Sequence, residues 1–302
     1  MSNAVSYKIK DTRADKILKF IFYVVLVMLA IVCLYPIYFV VIASVSDPSQ
    51  VLAGNVILLP KGWNLSGFEK VFADESIWRA YLNTIIYTVA GTALNITLTM
   101  TAAYVLSYRK MVGRNFLLKV VTFTMFFSGG LIPTYITYRQ LGILDTEWVM
   151  ILPGAISAYN LIIARTFIQS NIPEQLYEAA ELDGCSHIRF FTNIVIPLSI
   201  TIVAVLTLYY AVSHWNAYYN ALMYLPSQEK WPLQMVLRKT LIQNTFSASD
   251  VLIEGDDAAE LLYLGEQIKY ALIIVATLPI LCLYPFLQKH FVKGVMIGSV
   301  KG

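Results

Sequence analysis

The sequence predicts an all-α integral membrane protein with six transmembrane helices, a short cytoplasmic helix between the fourth and fifth, and both termini in the cytoplasm. Three observations carry this. Hydrophobic residues make up 58% of the 302 positions and charged residues only 14%, against about 25% charged in an average soluble domain. Apolar runs long enough to cross a bilayer recur along the chain, separated by polar segments. The lysines and arginines gather in alternate short segments, as they do in cytoplasmic loops.

The elements follow in order. Residues 1–16 form a polar tail with Lys8, Lys10, Arg13 and Lys16. The first span, 17–46, contains Pro36, which a membrane helix tolerates as a kink. Its apolar run is too long for a signal-peptide core and lacks a small-residue cleavage site, so it is expected to be retained. Residues 47–82 form an outer segment with turns at Asp47-Pro48 and Pro60-Lys61-Gly62. Leu65 to Leu82 there reads as an amphipathic interfacial helix, with Trp63 and Trp78 at the interface. The second span, 83–108, is rich in small residues such as Ala90, Gly91 and Ala93 that suit close helix packing. Its Asn95, Thr97 and Thr99 either line a cavity or serve packing alone. Arg109, Lys110, Arg114 and Lys119 follow without an acid, a cytoplasmic mark. The third span, 116–137, has a break at Ser128-Gly129-Gly130 and Pro133, and the fourth, 147–168, is interrupted at Pro153-Gly154. The fifth span is 194–216. A second outer segment, 217–266, carries Glu254, Asp256, Asp257 and Glu260, which either complement a basic patch on a partner or simply solubilise the loop. The sixth span, 267–287, leads to a basic tail. The membrane domain is thus 17–291 and the C-terminal tail 292–302. Only six spans with both termini inside place every basic short segment in the cytoplasm.

Between spans four and five lies a polar island, 171–197. Asn171 is a candidate N-cap, Pro173 suits the first turn and Glu174 complements the positive end of the helix dipole. Gly184 ends the helix by taking a left-handed conformation. A second apolar-periodic run, Ile188, Phe191, Ile194 and Val195, then meets Pro197. A helix–turn–helix here is either a lever gripped by a partner or an ordinary amphipathic surface helix. Glu181 and Asp183 read as solvated charges.

Several chemistries are excluded. There is no GxxxxGK[ST] phosphate loop, and the three cysteines (Cys33, Cys185, Cys282) and three histidines (His187, His214, His290) show no metal-ligand spacing. A net charge of +3 gives no case for nucleic acid. Spans one, two and five hold no acid of the kind that couples transport to protons or sodium. With no internal repeat, this disfavours a self-sufficient carrier. A carrier without coupling groups must take its energy from a partner, and the polar island is the natural socket. A sensor that reads a binding protein without transport is the alternative from another class.

The island also carries a family resemblance. Glu178-Ala179-Ala180, Gly184 and Ile194-Val195-Ile196-Pro197 resemble the EAA loop of the membrane subunits of ABC importers: EAA, three residues, Gly, nine residues, I-x-L-P. The one departure is Ile196 for the usual Leu. Ser46-Asp47-Pro48-Ser49, Trp215-Asn216-x-Tyr218 and the stretch from Phe291-Val292-Lys293-Gly294 to Gly302 are similar to the carbohydrate branch, in particular to the LplC-like, maltose-type second permease. The resemblance implies a permease subunit in the cell membrane, importing an oligosaccharide and paired with a second, different permease. It implies an extracytoplasmic lipoprotein that delivers the sugar, and a cytoplasmic ABC ATPase dimer that binds and hydrolyses ATP. The chain itself would then be no enzyme and hold no cofactor. In the family the EAA helix enters a groove of the ATPase. Glu178 would pair with a basic group there, Ala179 and Ala180 would permit close approach, Gly184 would make the turn, and Ile194 and Pro197 would complete the motif. For the substrate path, Tyr209, Tyr210, Trp215, Asn216, Tyr218, Tyr219 and Asn220 combine rings and amides suited to sugars. The same residues also suit an interfacial aromatic belt.

Overall fold

A computed structural model describes residues 12–249, 263 and 265–282. Lys8, Lys10, the acidic cluster Glu254 to Glu260, the end of the sixth expected span and the C-terminal tail lie outside the described residues. The described residues are mostly helical, with a single Ser46–Trp63 bridge as the only extended pairing among them. The chain divides into two units, 1–69 with 254–274, and 70–253 with 275–302.

The first unit is led by α1 (Arg13–Ser44). Thr12 and Asp15 start it with a reciprocal capping box. Its apolar side chains are exposed along most of its length, and burial begins only at Ile42. An apolar helix with no polar face and no protein cover is one built for lipid or for another chain. Asp47 then caps α2 (Pro48–Leu52) by accepting from the Ser49 amide at 2.8 Å. The loop after it folds back: Asp47 N–H donates to the Lys61 carbonyl at 2.9 Å and Asn64 N–H to that of Val45 at 3.0 Å. The hydroxyls of Tyr35 and Tyr38 donate to the carbonyls of Ile57 and Leu58. α3 (Ser66–Ala73) begins beside Gln267, and a Cβ at Gly67 would lie 2.7 Å from the Gln267 carbonyl oxygen.

In the second unit α4 (Glu75–Ser107) is the spine. The single interfacial helix expected over Leu65–Leu82 is instead two, because Asp74 ends α3 and caps α4, accepting from the Ser76 amide at 2.8 Å. α4 therefore begins well before the apolar stretch at 83. α5 (Arg114–Phe126) and α6 (Leu131–Gln140) meet at an angle of 117°, with Gly130 at φ 82° in the break. α7 (Trp148–Ile151) and α8 (Ala158–Asn171) are separated by 152–157, where Gly154 takes φ 71°. Then come α9 (Glu174–Leu182), α10 (His187–Phe190), a π-helical turn (Phe191–Val195), α11 (Ile196–Leu198) and α12 (Ile200–Trp215). The fifth expected span is not straight: the chain bends by 81° at Ser199, just after Pro197. A proline cannot donate its i→i−4 bond, and π turns and kinks are its usual company. α13 (Tyr219–Tyr224) and α14 (Leu233–Ser249) follow, and α15 (Gly265–Cys282) ends the described chain.

Two buried clusters flank α4. Toward its C-terminus Met100, Ala103, Tyr104 and Leu106 pack with Leu161, Ala164 and Ile168 of α8 and with Ile202, Leu206 and Tyr210 of α12. Toward its N-terminus Tyr87 packs with Val149, Met150, Ala221, Tyr224 and Met235. Among the described helices, α1, α4 and α15 are long and apolar enough to cross a membrane. The two bent pairs bring the number to five if each is one span. The fourth expected span, 147–168, is not among these; its residues are divided between α7 and α8.

Candidate functional site

α9 has two faces, set by its 3.6-residue period. Glu174, Tyr177, Ala180 and Glu181 turn toward the C-terminal end of α4. Tyr177 stacks on Tyr104 (6.3 Å between centroids, 11° between planes) and packs against Phe190 at 4.6 Å. Ala180 packs on the buried cluster beneath. At the edges Arg109 pairs with Glu174 at 3.1 Å and Lys110 with Glu181 at 3.1 Å, while the Tyr108 hydroxyl donates to Glu181 at 2.7 Å. The Tyr108 hydrogen bond, with Lys110 behind it, holds the Glu181 carboxyl below the ordinary glutamate range, and Glu181 raises Lys110 in return.

The opposite face is open. Glu178 and Ala179 are exposed, and Glu178 makes no hydrogen bond or ion pair among the described residues. Leu182 just beyond is 89% exposed, as is Ile188 to 78%. A carboxylate flanked by bare apolar side chains is chemistry for a partner surface rather than for water. A cleft of about 320 Å³ beside Glu178 is lined by Arg109, Lys110, Gln175 and Pro173. The helix ends in a Schellman motif: Cys185 N–H donates to the Ala180 carbonyl at 2.9 Å and Gly184 N–H to that of Glu181 at 3.1 Å, with Gly184 at φ 68°.

A second site lies midway along α4. Asn95 Nδ2 donates to the carbonyls of Gly154 (3.0 Å) and Ala155 (2.9 Å) in the break between α7 and α8. Those two bonds fix the amide, so its Oδ1 is the acceptor for the His214 Nε2–H at 2.6 Å. The imidazole lies against Gly91, where a Cβ would be 2.4 Å from the ring. One turn along, the Tyr210 hydroxyl accepts from Ser157 N–H at 3.3 Å and pairs with Thr99 at 2.7 Å. These two rungs satisfy irregular backbone that a membrane would leave without water. Beside them is a cavity of about 700 Å³, lined by Asn95, Asn160, Tyr159, Tyr209, Ser213 and His214 among others.

The expected site residues are distributed unequally. Glu178 and Ala179 face out, Ala180 faces in, Gly184 turns the chain, Ile194 is half-buried against the core and Pro197 follows the π turn. Asn171 is not the N-cap. It is the last residue of α8, its amide donating to the Phe167 carbonyl at 2.9 Å, and Pro173 precedes α9 without a side-chain cap. Glu181 is not a merely solvated charge, since Tyr108 and Lys110 hold it. Of the proposed sugar path, Tyr209 lines the cavity. Trp215 is 5% exposed and its indole N–H is taken by the Ala276 carbonyl at 2.9 Å, so packing accounts for it. Tyr210 lines the cavity as well, although it is buried and its hydroxyl is held by Thr99 and the Ser157 N–H. Asn216 bonds back to the Val212 carbonyl, Tyr218 lies under Arg238, Tyr219 is exposed, and Asn220 is half-buried; none of these four lines the cavity. The anchors Tyr104, Tyr108, Arg109 and Lys110 were not anticipated. The i, i+3, i+7 spacing of Glu174, Tyr177 and Glu181 was the available signal for an anchored face. Nothing local marks Asn95 as the partner of His214.

The chain is similar to known transport proteins. Residues 95–297 match the family described as binding-protein-dependent transport system inner membrane component. The chain is 41% identical over 289 residues to the polygalacturonan/rhamnogalacturonan transport system permease protein YtcP of Bacillus subtilis (strain 168), covering 95% of this chain and 99% of that one. It is 43% identical over 271 residues to protein LplC of the same strain, covering 90% of each. A chain from the crystal structure of a bacterial ABC transporter involved in the import of the acidic polysaccharide alginate superposes with a TM-score of 0.84. That chain is 32% identical, with 94% of this chain and 100% of that one covered.

Proposed function

This chain belongs to the family of binding-protein-dependent transport system inner membrane components, and from that premise we propose that it is one of two different permease subunits of an ATP-driven ABC importer for an oligosaccharide. Six spans, with both termini in the cytoplasm, would carry the path, an extracytoplasmic binding protein would deliver the sugar to the outer segments, and a cytoplasmic ATPase dimer would bind and hydrolyse ATP. The names of the relatives, a polygalacturonan/rhamnogalacturonan permease and an alginate importer, support the substrate class.

The observation that carries the coupling reading is the two-faced α9. Its outer face offers Glu178, Ala179 and Leu182 to a partner, and its inner face is clasped to the end of α4. A partner that grips Glu178 would therefore move α4 with α9, and α4 carries Asn95 on the cavity wall. A carboxylate in a partly desolvated groove contributes more than an exposed ion pair, whose median is about 0–1 kcal/mol. ATP-driven closure of the ATPase dimer would be transmitted along this path to open the cavity to the other side.

The test is a pull-down of the full-length chain from detergent followed by ATPase assay and sugar uptake, comparing wild type with Glu178→Ala. Co-elution of a second permease and an ATPase, with uptake lost by about tenfold or more in the variant, is the expected result. A chain that elutes alone and without ATPase activity sinks the reading in favour of a sensor or carrier.

A further inference from the structure

The cavity beside the Asn95–His214 rung holds a polar group that packing does not use. Asn160 is only 7% exposed and lines the cavity. Its backbone N–H is taken by the Ser157 hydroxyl, but its side-chain amide makes no hydrogen bond among the described residues. The amide lines the cavity, so what fills the cavity can supply its hydrogen bonds. Around it, Tyr159 and Tyr209 are 57% and 45% exposed, and Ser213 presents an exposed hydroxyl. Asn95 and His214 are engaged with each other and with the loop carbonyls, so they form a fixed wall.

Two accessible rings, an amide without a protein partner and a serine, set among Pro153, Leu208, Val212, Ile280 and Leu281 around about 700 Å³, can take one sugar ring. The C–H face of a pyranose stacks on an aromatic ring, and its hydroxyls exchange bonds with amides and alcohols. No Asp, Glu, Lys or Arg is among the described residues lining the cavity. We propose that Asn160, Tyr159, Tyr209 and Ser213 form a subsite for one sugar ring of the transported oligosaccharide, recognised through its C–H face and hydroxyls and not through a carboxylate. The proposal rests on the permease reading above and adds which surface of the sugar this subunit contacts.

To test it, the full-length chain is purified with its co-eluting permease and ATPase, reconstituted in nanodiscs, and titrated calorimetrically with tetragalacturonate and with its neutral methyl ester. Wild type binds the two with affinities within about threefold. Tyr209→Ala and Asn160→Leu each weaken both by about fivefold or more, whereas Tyr209→Phe, which keeps the ring, stays within about twofold. Tyr209 is exposed, so its variants report on the site even where Asn160→Leu fails to assemble. Binding of the charged tetramer alone, Tyr209→Ala binding like wild type, or an ATP-hydrolysing complex that binds neither sugar overturns the subsite. A preparation with no ATPase at all overturns the permease reading beneath it, and the two failures are told apart by that activity.

Discussion

At its C-terminal end α4 holds α9 with two exposed ion pairs and a stack of aromatic rings, whereas midway along it Asn95 holds α12 and the α7–α8 break with buried, uncharged hydrogen bonds. The chemistries suit different duties. Exposed ion pairs contribute about 0–1 kcal/mol, are screened by salt and re-form easily, as befits a joint that moves against a partner. A buried polar group stripped of its partner costs about 1–3 kcal/mol, which fixes one arrangement of the wall. Stability is concentrated at the buried rungs and responsiveness at the clasp.

Substitutions can break this contrast, and the largest effect is expected at Gly91. A Cβ there falls 2.4 Å from the His214 ring, so Gly91→Ala must shift the imidazole and disturb its bond to Asn95. We expect a loss of about 2–4 kcal/mol, read as a lowered Tm of the detergent-solubilised complex. Gly91→Ala in a His214→Ala background should add almost nothing. Additive losses would show that the ring is not what Gly91 accommodates. Asn95→Leu comes next. It strands the His214 N–H and two carbonyls and should cost about 2–3 kcal/mol, with an unchanged Tm arguing that water satisfies the break instead.

Smaller effects belong to α9. Gly184→Ala places a side chain at φ 68° with open space around it, so backbone strain alone acts, about 1–2 kcal/mol. It should appear as faster hydrogen exchange at the Cys185 amide with the global Tm held. The smallest effect on Tm is expected for Glu181→Gln, which removes an exposed pair. Exchange along α9 should rise all the same, and added salt should reproduce the rise in wild type. The pH dependence has a definite sign. Because Tyr108 and Lys110 depress the Glu181 carboxyl, its contribution is complete above the ordinary glutamate range and is lost as pH falls through the depressed value. Acid should loosen α9 more in wild type than in Glu181→Gln, where only the Arg109–Glu174 pair is left. Loosening near neutral pH would assign the joint to another group.

Much of this was legible before folding. The EAA spacing located α9, Gly184 and the break at Pro153-Gly154 were readable from their conformational needs, and the apolar runs located α1 and α15. The start of α4 at Glu75 was not legible, because hydropathy reports where lipid lies and not where a helix begins. Trp215 read as either a sugar contact or part of an interfacial belt, because an aromatic near a span end has the same local signature whether its N–H is free or, as here, taken by the Ala276 carbonyl.

What the sequence determined alone are the properties carried by neighbours in the chain: helical class, the turn at Gly184 and the helical period of α9. What only the tertiary structure decided are the pairings across the chain, Lys110 with Glu181 from 71 positions away and Asn95 with His214 from 119. Hydropathy and helical period repeat within a few residues and can be read locally. A hydrogen bond between distant side chains depends on how whole helices cross, and no short window of sequence contains that geometry.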